Sequence, residues 1–307
     1  MEGQFGTSLF GPYAVPGRRG LLQVALDATN AGDLEAGGAQ GPAFEPDVTG
    51  QPRWVNGFTF GADSCDALDP TAISCIGNPG DKGAPDNPDS VVVDAFLTFG
   101  ADQCSSMDNS RQREARARRN LLATESWQIE REFFDGIATK STTPDGPSPY
   151  LTREDSGTPL ADDVTGGGTA LAATRALAHL EQELLSCLHG QRGVIHAIPE
   201  LVTLWQAGGA LRLEGNTILT VLDTIIVAGS GYSGNAPGGA GADAGETWAY
   251  GTGLVYLRQA NIIDPDVTTP YARVDRDHNT TTWRVERPNA VYFAPCCVLA
   301  VNASLTT

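Results

Sequence analysis

The chain has 307 residues, of which 41% are hydrophobic and 19% are charged. That composition supplies a core for one large domain or two ordinary ones, and it excludes a chain that is disordered throughout. The 37 acidic and 20 basic residues give a formal net charge of −17, so nucleic acid should repel the chain as a whole. No segment reaches about 18 uninterrupted apolar residues, so we expect no membrane span.

The cysteines form no CxxC pair and show no spacing typical of a zinc site. The start of the sequence lacks the long apolar core of a signal peptide, which favours assembly in a reducing cytoplasm, where disulfides are rare. We therefore expect buried or half-buried free thiols, and a Cys65–Cys75 bridge is the less favoured alternative. The cysteines are Cys65, Cys75, Cys104, Cys187, Cys296 and Cys297.

The first 104 residues predict an arm followed by a long β-rich excursion. Residues 1–53 are rich in Gly, Pro and Ala without a sustained period, which predicts an extended arm that is disordered or laid across another surface. Within the arm, LLQVALDAT at 21–29 fits either a short strand or a helix. Residues 54–104 hold two β-like runs around a polar segment, and their similar ends, FTFGADSC and LTFGADQC, suggest paired strands.

Residues 110–135, SRQREARARRNLLATESWQIEREFFD, predict the clearest helix of the chain. Ser110 is a suitable N-cap, and Gly136 is placed to end the helix. The apolar residues form one face, Leu122, Ile129 and Phe133, and a second edge, Trp127 and Phe134.

Charge is distributed unevenly along this helix. Arginines crowd its first half and acids weight its second half, which is the reverse of what the helix dipole favours. Two interpretations stay open: a solvated charged face, or pairing with other chains. The charged residues are Arg111, Arg113, Arg116, Arg118, Arg119, Glu125, Glu130, Glu132 and Asp135.

The rest of the chain mixes helices and strands. A polar loop over 141–168 precedes a second helix at 169–189, GVIHA predicts a short buried strand, and a third helix starts at Pro199 and ends before Gly208. Strands are predicted in TILTVLDTIIVAG and WAYGTGLVYLRQ, and TTTWRVER and AVYFAPCCVLAVNAS predict a closing hairpin. The order lacks the regular alternation of a doubly wound sheet, so the predicted fold class is α+β. The buried stripe of the second helix is Leu177, Leu180, Leu184 and Leu188.

The segment TIIVAGSGYSG at 224–234 carries the glycine spacing of a dinucleotide-binding turn, at Gly229, Gly231 and Gly234. Such a site needs a helix to open at the third glycine, because the helix N-terminus holds the pyrophosphate. The following residues, NAPGGAGADAGET, cannot start a helix. We interpret 229–247 as a flexible surface loop between two strands, and a nucleotide-dependent enzyme is the least favoured alternative.

Other signals of catalysis are absent from the sequence. It contains no GxSxG, P-loop or HExxH motif and no set of nucleophile, base and orienting residue. His196 lies in an apolar strand, so we expect a satisfied core histidine rather than a metal ligand. We expect His179 and His189 at surface or packing positions and His278 in a turn. The sequence therefore predicts no enzyme, no cofactor and no metal site.

The order of elements resembles a known family of shell proteins. The run from SVVVDAFLTFGADQC to ESWQIEREFFDG is similar to the peripheral-domain strand and spine helix of tailed-bacteriophage major capsid proteins of the Hong Kong 97 type. Encapsulin shell proteins share that fold. Residues 192–234 resemble the core of the axial domain of these proteins, and WAYGTGLVYLR and TTWRVERPNAVYFAPCCVLAVNAS resemble their closing strands. The resemblance covers about residues 90–303 and points to phages that infect actinobacteria.

The resemblance implies a Hong Kong 97-like fold with five parts. They are an N-terminal arm at 1–53, an extended loop with peripheral-domain strands at 54–104, a peripheral domain with the spine helix at 105–165, an axial domain at 166–250, and strands returning to the peripheral domain at 251–307. It implies a major capsid protein that self-assembles as hexamers and pentamers into an icosahedral phage head around double-stranded DNA, without specific DNA binding.

The same resemblance implies a homo-oligomer in the virion, assembled in the cytoplasm of the bacterial host, with scaffolding, portal and decoration proteins as partners and no membrane. One alternative is an encapsulin-like cellular compartment. Another is a different virion structural protein, such as a minor head or tail subunit, although a tail tube should be nearly all β.

Charged residues of the helix and the extended loop are the candidate inter-subunit contacts. Some members of the family cross-link a lysine of this loop to an asparagine of another subunit. Lys82 is the only lysine of the loop, and Asn289 or Asn302 would be its candidate partner, with a solvated lysine as the favoured alternative. The candidate contacts are Lys82, Arg111, Arg113, Arg116, Arg118, Arg119, Glu130 and Glu132.

Overall fold

The structure of the chain is a computed structural model. It describes residues 20–21, 26–27, 44–46, 52–54, 58–61, 90–93, 95–105, 110–137, 150–155, 158–166, 169–188, 190–262, 273–275, 280–293 and 297–306. The helices of these residues are α1 (Ser110–Asp135), α2 (Ala173–Cys187) and α3 (Pro199–Ala207). The strands are β1 (Leu26–Asp27), β2 (Phe44–Pro46), β3 (Pro52–Trp54), β4 (Phe58–Gly61), β5 (Ser90–Val93), β6 (Phe96–Ser105), β7 (Glu154–Asp155), β8 (Thr158–Pro159), β9 (Asp162–Asp163), β10 (Leu171–Ala172), β11 (Val194–Ala197), β12 (Leu211–Glu214), β13 (Thr217–Thr220), β14 (Ile225–Ala228), β15 (Glu246–Thr252), β16 (Val255–Gln259), β17 (Arg273–Asp275), β18 (Thr280–Phe293) and β19 (Leu299–Ser304).

Helix α1 begins and ends where the sequence predicts. It is built mostly from strong helix formers, namely Arg, Glu, Gln, Leu and Ala. Gly136 ends it with φ +60°, a left-handed conformation that glycine adopts without steric cost. A Cβ at Gly136 would also lie 2.5 Å from the ring of Tyr150. Two constraints therefore select glycine at this helix end.

The buried side of α1 is only partly the predicted one. Ile129, Phe133 and Phe134 are buried as expected, but Leu122 and Trp127 are 44% and 43% exposed. Among the described side chains in the first half of the helix, the fully buried ones are instead Ala117 and Leu121.

Glycine at position 100 explains this shift. A Cβ at Gly100 of β6 would lie 2.2 Å from both Ala117 O and Leu121 N. The helix backbone therefore rests directly on the strand at this point. The line of closest approach, rather than the apolar pattern of the helix, decides which residues of its first half are buried.

Strand β18 is the spine of a five-stranded sheet beneath α1. It runs for 14 residues and pairs antiparallel with β6 from Asn289↔Phe96 to Thr280↔Ser105. Strand β16 pairs with the opposite edge of β18, from Phe293↔Val255 to Asn289↔Gln259. Strands β17 and β1 complete the sheet. Helix α1 lies against the β6–β18 ribbon.

The second sheet has eight strands in the order β10-β19-β15-β11-β14-β13-β12, with β9 beside β19. Its core is shared with α2 and α3. It includes the four predicted leucines, of which Leu188 directly follows α2, and Trp205 of α3. Helix α2 starts at Ala173 rather than 169 because Leu171 and Ala172 pair with Ala303 and Ser304. Strand β11 and helix α3 match their predictions. Helices and strands together confirm the predicted α+β class.

The predicted closing hairpin is wrong. Strand β19 pairs with β15 from Leu299↔Gly251 to Ser304↔Glu246, whereas β18 belongs to the other sheet. WAYGTGLVYLRQ is divided in the same way, since β15 and β16 lie in different sheets. Alternation of side chains identifies a strand, but the choice of its partner is a non-local property.

The N-terminal strands also differ from the expected arrangement. Strands β4 and β5 pair antiparallel, which confirms that the two β-runs of 54–104 meet. The similar ends of those runs are not each other's partners, because β6 pairs with β18. In the arm, Leu21 is fully buried in the core beneath α1, and β1 pairs with Tyr256 and Leu257. These described parts of the arm pack against their own chain.

The expectation of free thiols is wrong for two of the cysteines. Cys187 and Cys297 form a disulfide, with their Cα atoms 6.0 Å apart. They are 110 residues apart in sequence, so no local spacing identifies the pair. Cys65, Cys75 and Cys296 lie outside the described residues.

Candidate functional site

The arginines of α1 do not share one environment. Arg113 is buried, whereas Arg118 is exposed. Arg116 makes a two-point contact with Asp102 of β6, with Nε–Oδ1 and Nη2–Oδ2 distances of 3.1 Å each. This parallel pair of bonds fits the planar guanidinium. Arg116 therefore joins the helix to the ribbon of its own chain.

The remaining basic candidates are described less fully. Arg119 donates from Nε to Ala115 O at 3.2 Å along its own helix. Lys82 and the side chain of Arg111 lie outside the described residues. Contact with another subunit stays a prediction for the basic candidates.

The acids in the second half of α1 are mostly buried, with Asp135 half-buried. Glu125, Glu130 and Glu132 are buried. A run of charged residues usually predicts a solvated helix face, so the sequence does not indicate that these carboxyl groups are buried. Glu125 and Glu130 each hold several parts of the chain together, which explains their burial. An inter-subunit role for Glu130 and Glu132 stays a prediction.

Glu125 links α1 to the ribbon. Arg287 Nη1 donates to its Oε2 at 2.8 Å, and Thr98 Oγ1 donates to its Oε1 at 3.2 Å. Asn289 Nδ2 donates in turn to Thr98 Oγ1 at 2.9 Å. Burial raises the pKa of Glu125, and the Arg287 charge and the hydrogen bonds from Thr98 and Asn289 oppose the rise. The network therefore connects the helix to both β6 and β18 near Glu125.

Glu130 joins three segments that are far apart in sequence. Its Oε1 accepts from Leu21 N at 3.1 Å and from Ser126 Oγ at 3.4 Å. Its Oε2 accepts from Gly231 N at 2.9 Å and from Ser230 Oγ at 3.1 Å. Burial raises the pKa of Glu130, and these hydrogen bonds oppose the rise. One carboxyl thus fastens both the arm and the glycine loop to α1.

The glycine loop is packed at its start, so its description as a flexible surface loop is wrong there. A Cβ at Gly231 would lie 2.5 Å from Trp127 O, which shows that the loop backbone rests on α1. Tyr232 is buried, and Ser233 Oγ donates to Asp135 Oδ1 at 2.8 Å. No helix opens after Gly234, as residues 229–245 are all described and none is helical. Of the three glycines of the spacing, Gly231 lies against the helix, whereas a Cβ at Gly229 would meet the Tyr232 ring and one at Gly234 would meet Thr247.

His196 is a core histidine, as predicted. It is fully buried, with Nδ1 3.1 Å from Tyr232 Oη and Nε2 3.0 Å from Thr252 Oγ1. Burial lowers its pKa to about 3. His196 is therefore neutral at neutral pH, and its role is to connect β11 with the glycine loop and β15. His179 Nε2 lies 2.7 Å from Val164 O, which fits a packing position.

Exposed apolar side chains gather where α1 lies beside β6. Phe99, Trp127 and Ile137 are 43%, 43% and 46% exposed. They line a groove of about 560 Å³ between β6 and the helix, which we call the outer groove. The Arg131 guanidinium lies 4.7 Å from the centre of the Trp127 ring. The outer groove thus combines apolar surface with a cation.

Side chains of α1 cap the backbone of β6 at the outer groove. Gln128 accepts from Phe99 N at 3.0 Å and donates to Phe99 O at 2.8 Å. Asn120 Nδ2 donates to Ala101 O at 2.8 Å. These backbone groups are therefore not available to a further strand.

A second exposed apolar surface lies on the other sheet. Leu213, Val221 and Leu222 are 53%, 69% and 60% exposed. Leu213 is in β12, the last strand of the eight-stranded sheet, and the other two are in the turn between β13 and β14. We call this the β12 tip. An ion pair between Arg212 and Asp223 lies beside the β12 tip, so its apolar side chains border charged groups.

Within the described residues, no group of three or more His, Cys, Asp or Glu side chains is arranged to hold a metal ion. The helices in the described part of the chain also lack the combination of length and apolar character that crossing a membrane requires.

No protein-family model and no curated protein matches the chain. Solved structures do resemble it. One is the holo-SrpI encapsulin complex from Synechococcus elongatus, with 13% identity, a TM-score of 0.41, and coverage of 72% of this chain and 78% of that one. Another is Gordonia phage Cozz, with 13% identity, a TM-score of 0.43, and coverage of 75% and 77%. A third is the capsid of Ralstonia phage GP4, with 12% identity, a TM-score of 0.40, and coverage of 71% and 75%.

Proposed function

We propose that this chain is a shell-forming structural protein of the Hong Kong 97-like fold, the major capsid protein of a tailed phage. Copies would form hexamers and pentamers that close an icosahedral head around double-stranded DNA. The net charge of −17 suits a container that does not grip its DNA, since it repels the phosphates. The domain limits and partners that the sequence resemblance implies belong to this proposal.

The observation that carries the proposal is the presence of two exposed apolar surfaces, the outer groove and the β12 tip, on two different sheets. Exposed apolar groups that gather at one place mark interaction sites. A subunit of a closed shell needs more than one such surface, because each copy meets several neighbours. The chain offers one on each sheet.

The shape of the α1 region also supports the proposal. A helix of 26 residues is about 39 Å long. It rests on a ribbon whose strands β6 and β18 pair over ten residues. The contacts of Glu125 with Arg287 and of Arg116 with Asp102 hold helix and ribbon together. Such a stiff, elongated platform suits a subunit that transmits contact from one neighbour to the next.

Electron microscopy of the purified recombinant chain, after size-exclusion chromatography, tests the proposal. We expect closed shells, rings or sheets for the wild type. Trp127→Glu places a charge in the outer groove and should abolish them while the subunit stays folded, because the side chain is exposed. Trp127→Phe keeps the groove apolar and is the matched control. Assembly that is unchanged in Trp127→Glu, or a wild type that stays monomeric even with its scaffolding protein, would contradict the proposal.

The genes beside the gene for this chain distinguish a phage head from an encapsulin-like compartment. Neighbouring genes for a terminase and a portal protein would support the phage head, and a gene for a cargo protein would support the compartment.

Boiling mature particles in detergent tests whether Lys82 forms a covalent cross-link. A ladder of linked chains would support a cross-link, and a single monomer band would exclude it.

A further inference from the structure

The Cys187–Cys297 bond closes a very long loop. Cys187 is the last residue of α2, and Cys297 lies two residues before β19. The intervening chain contains α3 and strands β11 to β18. The bond therefore links the last part of the chain to α2. It encloses most of the second half of the chain in one covalent loop.

Non-covalent contacts hold the two cysteines in place independently of the bond. Leu184 of α2 and Val301 of β19 lie in the same buried core. Val298, the neighbour of Cys297, accepts a hydrogen bond from Asp162 N at 2.9 Å. None of these contacts depends on the S–S bond, so each of them can form in the dithiol and bring the two sulfurs together.

The two cysteines differ in access to solvent. Cys297 is 3% exposed and lies within the core, whereas Cys187 is half-buried at the end of its helix. The attacking thiol in disulfide exchange must be accessible to the oxidant. Cys187 is the sulfur of this pair that an oxidant reaches first.

We propose that the chain folds as the dithiol and that the bond closes later, in an oxidising medium, with Cys187 as the entry thiol and Cys297 as the resolving thiol. The timing rests on the proposed function, because a shell protein made in a cytoplasm first meets a reducing compartment. The closed bond then acts as a staple that secures β19 to α2 after release from the cell.

The chemistry needs a small-molecule disulfide such as oxidised glutathione. The Cys187 thiolate attacks it, forms a mixed disulfide and releases one glutathione thiolate. The Cys297 thiolate then attacks the Cys187 sulfur and releases the second glutathione. The two protein thiols lose two electrons, the glutathione disulfide gains them, and the two protons pass to the released glutathione thiolates.

Mass spectrometry of the full chain tests this order of events. Cells expressing the protein are lysed directly into an alkylating reagent, and a second sample is incubated with oxidised glutathione first. We expect both cysteines to be alkylated in the first sample and linked in the second. The linked form should melt about 5–15 °C higher, because the bond restricts the unfolded chain. A bond already complete in the first sample, or a reduced chain that is unfolded by circular dichroism, would overturn the proposal.

Single substitutions test the roles of the two sulfurs. Cys297→Ser should accumulate a glutathione adduct on Cys187, Cys187→Ser should leave Cys297 unmodified, and Cys104→Ser should behave as the wild type. An adduct on Cys297 of Cys187→Ser would refute the assignment of the entry thiol. Electron microscopy of the reduced sample keeps the two proposals apart. Absence of shells alongside the expected redox chemistry would count against the capsid function alone.

Discussion

Arg287 Nη1 lies 2.8 Å from Glu125 Oε2, and this pair joins the middle of the longest strand to the middle of the longest helix in the described part of the chain. The side chains are 20% and 6% exposed, so the ion pair is largely shielded from water. Such a pair holds its geometry well, and breaking it leaves the remaining charge buried.

Replacing Arg287 by Met should therefore destabilise the subunit strongly. Glu125 would lose the cation that opposes the rise in its pKa and would remain buried. We expect the free energy of unfolding to fall by about 3 kcal/mol, the lower end of the range for a broken buried pair, because Arg287 is partly exposed. Urea unfolding followed by circular dichroism measures the change.

The control is Arg284→Met on the same strand. Arg284 pairs with Glu286, and with side chains 47% and 18% exposed this pair is less shielded from water than the Arg287–Glu125 pair. Its contribution should therefore be closer to the about 0–1 kcal/mol of a surface pair. Equal losses in the two variants would show that the buried network contributes nothing beyond a surface pair.

Gly100→Ala should separate α1 from the ribbon. The added Cβ would lie 2.2 Å from Ala117 O and Leu121 N, which are backbone atoms that cannot rotate away. Overpacking of this kind costs about 1–3 kcal/mol. Urea unfolding should show that loss, together with an increase in the exposure of Leu121.

Gly241→Ala is the matched control, because a Cβ at Gly241 meets nothing within 4 Å. It should unfold like the wild type. A Gly100→Ala variant of unchanged stability would mean that the helix can lift without loss, and that this contact does not set the burial pattern of α1.

The elements that could be predicted from the sequence are those whose signals are local. Helix α1 follows from its run of strong helix formers and ends at Gly136, and the buried leucines of α2 follow from helical spacing alone. The partners of β18 and β19 could not be predicted, since each pairs with strands that are distant in sequence. The start of α2 was misplaced for the same reason, because β10 exists only through its pairing with β19.

The site around Glu130 shows the same limit. Leu21, Glu130 and Gly231 are brought together by the fold, and the distances between them in sequence are about a hundred residues. The one available signal was the glycine spacing at 229–234, which indicates close backbone approach without naming what is approached. The sequence context excluded a phosphate, but only the structure identifies the helix as the neighbour.

The protonation of His196 should make the chain less stable in mild acid. Its pKa is about 3 in the folded chain and about 6.5 when unfolded, so the unfolded chain binds the proton first as the pH falls. The stability that neutral His196 provides is complete above pH 6.5 and is lost progressively towards pH 3. Between pH 6.5 and pH 5 the loss should be about 2 kcal/mol, at roughly 1.4 kcal/mol per pH unit.

Urea unfolding of the wild type and of His196→Gln at pH 7.5 and pH 5.0 measures this effect. The amide of Gln can still meet Tyr232 and Thr252 but does not titrate. The raised pKa values of Glu125 and Glu130 act in the opposite sense, favouring the folded state as the pH falls, and they are present in both proteins and cancel. If both proteins lose the same free energy between the two pH values, His196 is not the titrating group.

Glu130→Gln should release the arm from α1. The amide keeps the size of the side chain, but only one of its two polar atoms can accept a hydrogen bond. Gly231 N and Ser230 Oγ form the shorter pair of contacts, at 2.9 and 3.1 Å, against 3.1 and 3.4 Å for Leu21 N and Ser126 Oγ. An amide oxygen that keeps the shorter pair leaves an NH₂ group facing Leu21 N. Hydrogen bonds to a charged group contribute about 1.5–3 kcal/mol, so undocking of the arm should become at least about tenfold more frequent.

Trypsin reports this undocking, because Arg18 and Arg19 directly precede the docked residues Gly20 and Leu21. Mass spectrometry of a digestion time course should show the chain beginning at Gly20 about tenfold sooner in Glu130→Gln than in the wild type. Ser126→Ala removes the 3.4 Å contact to the same Oε1 and leaves the acceptor of Leu21 N intact, so it is the control and should be cut at the wild-type rate. Equal cleavage rates in all three proteins would mean that Glu130 does not hold the arm, and that the core around Leu21 does so alone.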